Sequence, residues 1–179
     1  MKVDAQDFLR LAERARTIVF YDLEATGLKG DYNSVLCVSV KPYGDKPVTF
    51  SIEKPGRDKK VVRAAAQLLE QADCWVTYYG KGFDFKMINT RLLRWGLPPL
   101  NSKPHIDMYY MLKHHLNTSR RSQAHLLDWL QVETDGSERK LMGNVAKKMS
   151  VSAEEWNNVL AQPRKSMKTM VRRCESDCA

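Results

Sequence analysis

The sequence predicts an α/β protein in which a mixed β-sheet is flanked by helices. Three strand-like segments, 17–23, 35–42 and 47–53, are separated only by short turn-rich stretches, which is typical of a meander of neighbouring strands. A helical pattern then leads into a fourth apolar segment at 74–79, as in a crossover connection. We therefore expect a three-strand meander, further strands in the same sheet, and helices packed on its faces.

The helices follow from the spacing of apolar residues and from the residues that end them. Amphipathic patterns predict helices at 4–16 and 57–72, and a third at 83–96 closes at its final glycine before the sequence LPP. The next stretch, 103–116, indicates a short strand or turn that enters a helix. Residues 133–150 are polar and ambiguous. The other predicted helices lie at 122–132, after the capping box at Ser152 and Glu155, and in the last segment from 164 onward.

Length and composition are those of a single domain spanning 1–179, and a hydrophobic content of 43% is enough for a core. No run of 18 apolar residues is present, and the N-terminal stretch lacks the apolar segment of a signal peptide. The four cysteines and four histidines are scattered without ligand spacing, which argues against a zinc site or a disulfide framework. We therefore expect a cytoplasmic protein without a membrane partner.

The chain carries 29 basic and 21 acidic side chains, a net charge of +8. Such an excess is typical of proteins that bind polyanions, of which nucleic acid is the common one. It also serves solubility, so charge alone leaves both interpretations open. Lys86 and Arg91 on the third predicted helix raise the same question, because such residues either reach phosphate or simply solvate a helix face.

Two acids follow directly on the apolar run of the first strand, in the sequence FYDLEATGL. Asp22 and Glu24 are two residues apart, so they share one face, with Cβ atoms roughly 6–7 Å apart. Two like charges this close raise each other's pKa. Either the strand emerges into solvent here, or a divalent cation lies between the carboxylates, since hard cations prefer oxygen ligands.

Two further acids extend this pair. Asp84 follows a Gly-Lys-Gly turn at the start of a predicted helix. An acid at this position complements the helix dipole, which would explain it without any site. Its two phenylalanine neighbours, however, indicate that it is partly buried. Asp177 falls on the apolar stripe of the last predicted helix, seven residues after Met170 and three after Cys174. A carboxylate there opposes the dipole and favours a cation partner, unless the helix end frays.

This set of acids resembles the DEDD 3′→5′ exonucleases, the DnaQ-like branch of the ribonuclease H-like superfamily. The motifs are FYDLEATGL with Asp22 and Glu24, YYGKGFDFKMINTR with Asp84, and RRCESD with Asp177. The motif sequences most resemble those of YprB-like domains and of the proofreading domains of B-family polymerases. The resemblance spans residues 17–177 and implies a ribonuclease H-like sheet.

The resemblance implies a catalytic and metal-binding role for Asp22, Glu24, Asp84 and Asp177. They would hold two Mg²⁺ or Mn²⁺ ions about 4 Å apart around the scissile phosphate. Asp22 would bridge both ions, Glu24 and Asp177 would serve the ion that activates water, and Asp84 would act on the second, largely through water. The reaction would remove nucleoside 5′-monophosphates from 3′ ends of single strands, with DNA favoured over RNA.

The chain departs from the family at two positions. Arg173 occupies the usual Tyr or His position before the last acid, and an arginine stays protonated, so the general base is unknown. Tyr79 stands where relatives often carry Asn. Arg173 therefore favours, as an alternative function, a nucleic-acid-binding module with weakened catalysis. A structure-selective endonuclease on the same scaffold is the other alternative.

Residues around the motifs are candidates for substrate binding. By resemblance, Thr26, Gly27 and Leu28 would contact the 3′ hydroxyl and last base, or they form a plain turn. Aromatic side chains interleave with a cation at 78–83, as in single-strand platforms, although one of Tyr78 and Tyr79 is expected to be a core residue of the strand. Asp107 is either a supporting residue or a helix N-cap. The remaining candidates in this group are Lys81 and Phe83. The sequence identifies no protein partner, although replication or repair proteins would be consistent with such a nuclease.

Overall fold

The computed structural model describes residues 17–54, 56–130, 151–161 and 163–178. The helix predicted at 4–16 and the ambiguous segment 133–150 lie outside the described residues.

A five-stranded mixed sheet forms the centre of the fold, in the order β3-β2-β1-β4-β5. Its strands are β1 (Ile18–Ala25), β2 (Val35–Pro42), β3 (Val48–Ser51), β4 (Cys74–Thr77) and β5 (His105–Asp107). β1, β2 and β3 pair antiparallel, which confirms the predicted meander, whereas β4 and β5 run parallel to β1. The carboxyl ends of these three parallel strands therefore share one edge of the sheet, where ligands usually bind in such folds.

Helices in the described part of the chain flank this sheet. They are α1 (Lys59–Gln71), α2 (Asp84–Arg94), α3 (Met108–His115), α4 (Gln123–Trp129), α5 (Ala153–Ala161) and α6 (Pro163–Asp177). The apolar stripe of α1 is buried against β2, and α6 packs on β1 and β2. Burial of Met170 and Cys174 confirms the apolar stripe predicted for the last helix. None of the described helices has the length and apolar character needed to cross a membrane.

A buried carboxylate network ties the first loop to the helices. Asp58 accepts hydrogen bonds from the Val35 amide at 2.8 Å and from Arg91 Nε and Nη2 at 2.8 and 2.9 Å. The Trp95 indole donates a fourth at 2.8 Å, and Arg91 Nη1 also donates to the Gly30 carbonyl. Arg91 is buried here, so neither phosphate binding nor a solvated helix face, the two interpretations of the sequence, applies to it.

Tyr21 carries a buried hydroxyl that makes no hydrogen bond to any residue the structure describes. Its ring packs against Trp75 and His105 in the core. Burial, with smaller contributions from the nearby Asp84 and Asp107 carboxylates, raises the pKa of Tyr21 well above its usual value. The phenol therefore stays neutral, and its hydroxyl is a desolvated group that contributes nothing to stability.

We expect Tyr21→Phe to raise the free energy of unfolding by about 1 kcal/mol, because it removes an unsatisfied buried hydroxyl. Tyr78→Phe is the matched control: its hydroxyl donates to the Arg121 carbonyl at 2.5 Å, so its loss should lower stability by about 1 kcal/mol. Urea unfolding of both variants measures the two effects. A destabilised Tyr21→Phe variant would show that the hydroxyl is satisfied in solution.

Candidate metal centre

Three acidic side chains from distant parts of the sequence meet at the edge where β1 ends. The carboxylate oxygens that Asp22, Glu24 and Asp177 offer all lie within 4.8 Å of one another. Asp22 and Glu24 share a face of β1, because strand side chains alternate, and Asp177 comes from the last turn of α6. A break in the β1–β2 register between Glu24 and Ala25 lies directly at this point, a position where bulges often re-aim side chains.

The last turns of α6 are fixed against the sheet by side-chain contacts, and this holds Asp177 in place. The Cys174 thiol donates to the Asp22 carbonyl at 3.2 Å, and the Cys178 thiol donates to the Ser39 carbonyl at 3.6 Å. Thr49 Oγ1 on β3 donates to Glu175 Oε1 at 2.7 Å. The helix is therefore ordered to its end, contrary to the frayed alternative that the sequence left open.

The cluster is chemically suited to a divalent cation. Its three donors are carboxylate oxygens, which hard cations such as Mg²⁺ prefer, and a bound cation would offset their mutual repulsion. Glu24 is buried, and Asp22 and Asp177 are half-buried, so water screens the repulsion only in part. Asp22, Glu24 and Asp177 could hold a metal ion.

Asp84 lies beside the cluster at the first position of α2. It is 5% exposed and accepts a hydrogen bond from the Leu23 amide, between Asp22 and Glu24, at 3.0 Å. Burial, followed by the like charges of Glu24 and Asp107, raises the pKa of Asp84 to about 7. The structure thus ties Asp84 to the backbone of the Asp22–Glu24 segment, while the three-carboxylate group itself forms without it.

Arg173 makes an ion pair inside the cluster. Its Nε lies 2.7 Å from Glu24 Oε1, and among the described residues this nitrogen makes no hydrogen bond of ordinary geometry, so the contact is mainly electrostatic. The sequence placed Arg173 at the family's Tyr or His position but did not predict its contact with Glu24. The helical spacing of four residues from Asp177 was the available signal, since such residues share a helix face.

A cleft of about 320 Å³ opens next to Glu24. Its lining residues are Glu24, Ala25, Thr26, Gly27, Leu28, Phe83 and Trp156. Leu28 is 79% exposed at its rim. A Cβ on Gly27 would lie 2.6 Å from Asn33 Oδ1, so any larger residue here would displace the Asn33 side chain.

Trp156, which comes from α5, lines the cleft although the sequence did not predict it. Its position depends on how α5 packs against α6, which the pattern of α5 alone does not specify.

Asp107 organises the backbone on the far side of β4. It is buried and accepts hydrogen bonds from the Tyr79 amide at 2.8 Å and the Lys81 amide at 2.9 Å. It also caps α3 by accepting from the Tyr109 amide at 3.1 Å. Of the two interpretations that the sequence left open, the N-cap is therefore realised, together with support of the loop after β4.

The strand predicted at 74–79 is shorter than expected. β4 ends at Thr77, because Tyr79 adopts a left-handed conformation, with φ of 66°, that turns the chain out of the sheet. Strand alternation therefore does not apply to Tyr78 and Tyr79. Tyr78 is half-buried, and Tyr79 is 46% exposed.

Comparison with known proteins adds the family context. The sequence model of the RNase_H superfamily matches residues 19–179. The family B DNA polymerase from the hyperthermophilic archaeon Pyrobaculum calidifontis is similar in structure, with a TM-score of 0.63 and 18% sequence identity. The match covers 90% of this chain but 23% of the polymerase chain, and at this identity it bears on the fold alone. No curated protein matches the chain. The ribonuclease H-like mixed sheet predicted from the sequence is confirmed.

Proposed function

The chain belongs to the RNase H superfamily, and on that premise we propose that residues 1–179 form a single metal-dependent 3′→5′ exonuclease domain. Its substrate is single-stranded nucleic acid with a free 3′ end, DNA in preference to RNA, and its product is a nucleoside 5′-monophosphate. The observation that carries this proposal is the approach of the Asp22, Glu24 and Asp177 oxygens to within 4.8 Å. Within the superfamily, the motifs around Asp22, Asp84 and Asp177 favour the DEDD group, near YprB-like and B-family proofreading domains.

The carboxylates are the residues that would hold two Mg²⁺ or Mn²⁺ ions. Asp22, Glu24 and Asp177 would supply oxygens to a first ion, and Asp84, which accepts a hydrogen bond from the Leu23 amide, would serve a second. When bound, the ions supply Lewis-acid activation of water and charge stabilisation at the 3′ oxygen.

The neighbouring residues bind and orient the substrate. The cleft formed by Thr26, Gly27, Leu28 and Phe83 adjoins Glu24 and has room for a terminal nucleotide. Lys81 is exposed in the turn before Asp84, and its positive charge favours contact with the phosphate backbone. The Arg173 guanidinium has no lone pair that could accept a proton, so Arg173 takes no proton from the attacking water.

A pair of end-labelled strands tests the reaction type. A single strand labelled at its 5′ end should give a ladder shortened one nucleotide at a time in Mg²⁺, and the same strand labelled at its 3′ end should release a labelled mononucleotide at once. Internal cuts would instead identify an endonuclease. Retarded but intact strands would identify a binding module.

The binding module is the second candidate, and the Arg173–Glu24 ion pair is the observation that favours it. A guanidinium held against a metal-binding carboxylate lowers the affinity for a cation, because both compete for the same negative charge. A domain with this contact would keep the cleft and the exposed basic residues while losing turnover.

Arg173→Gln should tighten the binding of Mn²⁺ about tenfold, because it removes a positive charge that lies against Glu24. Arg172→Gln is the matched control, since it removes the same charge from an exposed neighbour on α6, and we expect a change below about twofold. Titration calorimetry with Mn²⁺ measures both variants. Equal effects, or weaker binding in Arg173→Gln, would show that the guanidinium does not compete with the cation.

A further inference from the structure

Three tyrosines form a surface cluster beside the metal centre, which we call the tyrosine shelf: Tyr79, Tyr109 and Tyr110. The Tyr79 ring stacks on Tyr110, with centroids 6.0 Å apart and planes 27° from parallel, and meets Tyr109 edge-on at 4.9 Å. Tyr109 and Tyr110 are half-buried at the start of α3, a helix with no fully buried residue. The shelf is therefore an aromatic surface that the described core does not cover.

The backbone at Tyr79 is strained. A φ of 66° is the left-handed region, which costs an aromatic residue about 1–2 kcal/mol and glycine almost nothing. Asp107 holds this conformation through the Tyr79 and Lys81 amides. The Tyr79 ring lies over Gly82, where a Cβ would come within 2.6 Å of the ring carbon Cζ. A tyrosine kept in a conformation that suits glycine indicates a use for the side chain.

The shelf lies on the same edge of the sheet as the carboxylate cluster. β1, β4 and β5 are parallel, and Tyr79, Tyr109 and Tyr110 follow the carboxyl ends of β4 and β5. Tyr79 precedes Asp84 by five residues. The exposed Lys81 lies between them in sequence, and its amide shares the Asp107 carboxylate with the Tyr79 amide.

We propose that the tyrosine shelf is a stacking site for an unpaired base of the bound strand, with Lys81 facing its phosphate. The choice of ligand rests on the proposed function, because a nucleic-acid strand that reaches the carboxylate cluster passes the same edge of the β-sheet. Aromatic side chains stack on bases of any sequence, typically for about 1–3 kcal/mol per base. A paired base already stacks on its neighbours within the duplex, so the shelf selects unpaired strands and is indifferent to sequence.

Tyr79→Gly separates this role from a structural one. The change relieves the left-handed strain, so the melting temperature should rise or stay level, while affinity for a labelled oligothymidylate should fall about 5- to 100-fold. Tyr79→Phe should restore most of the affinity, because it keeps the ring. Tyr43→Ala is the control, since this tyrosine is 75% exposed beside the amino end of β1, the opposite edge of the sheet, and we expect unchanged affinity.

Fluorescence anisotropy in EDTA measures binding without cleavage, with a blunt duplex of equal length as competitor. Normal binding of oligothymidylate by Tyr79→Gly overturns the proposal, as does equal wild-type affinity for strand and duplex. If Tyr79→Gly binds oligothymidylate weakly and the wild-type protein cuts no strand in Mg²⁺, the result supports the stacking site and rejects the proposed exonuclease activity. Normal binding by Tyr79→Gly in an active nuclease rejects the shelf alone.

Discussion

Asp22→Asn should lower the rate of mononucleotide release at least about 1,000-fold, or about 4 kcal/mol in activation free energy. Asp22 is one of the three residues whose carboxylate oxygens lie within 4.8 Å of one another. The amide is nearly the same size but lacks the negative charge that a divalent cation requires. Single-turnover release of a labelled 3′ nucleotide measures the loss.

Asp31→Asn provides the control for this result, because it makes the same chemical change at an exposed acid in the loop after β1. It should leave the rate within about twofold of the wild type, since surface substitutions outside a site have small effects. The melting temperature of Asp22→Asn should stay close to that of the wild type, because Asp22 is only half-buried. Near-normal turnover in Asp22→Asn would eliminate the proposed role of the carboxylate cluster.

Asp58→Ala should lower the free energy of unfolding by about 3–5 kcal/mol, the usual result of removing one partner of a buried ion pair. The Arg91 guanidinium would lose both contacts with Asp58, and the Val35 amide and the Trp95 indole would lose their acceptor. Each of these donors is then left desolvated without a partner. Urea denaturation monitored by tryptophan fluorescence measures the change.

Asp45→Ala is the matched control, because Asp45 is exposed in the turn between β2 and β3. We expect a change within about 0.5 kcal/mol, as for ordinary surface substitutions. A loss below about 1 kcal/mol in Asp58→Ala would show that water or rearranged side chains satisfy the donors. The Asp58 network would then be a minor contribution to stability.

The sequence predicts those features that depend on local periodicity. Alternation along β1 places Asp22 and Glu24 on one face, and the helical stripe through Met170 and Cys174 places Asp177 on the inner face of α6. The meander and the crossover helix also follow from short-range signals, because turns and apolar spacing mark their boundaries. These features together suffice to anticipate the sheet and three of the acidic residues at its edge.

The remaining features of the site depend on packing between residues distant in sequence, which local sequence patterns do not encode. Asp58 lies in a polar stretch of the sequence, which predicts an exposed acid. In the fold it instead accepts hydrogen bonds from Arg91 and Trp95. The left-handed turn at Tyr79 depends on Asp107, 28 residues further along the chain. Trp156 reaches the cleft only through the packing of α5. In each case a single side chain acquires its role from a partner that is distant in sequence.

Crystals soaked in Mn²⁺ and measured at the manganese absorption edge test the central claim most directly, namely that Asp22, Glu24 and Asp177 form a divalent cation site. We expect an anomalous peak about 2.0–2.3 Å from carboxylate oxygens of all three residues, with Arg173 displaced from Glu24. An ordered cluster without a peak, at Mn²⁺ concentrations that saturate exposed acids elsewhere, would contradict the claim.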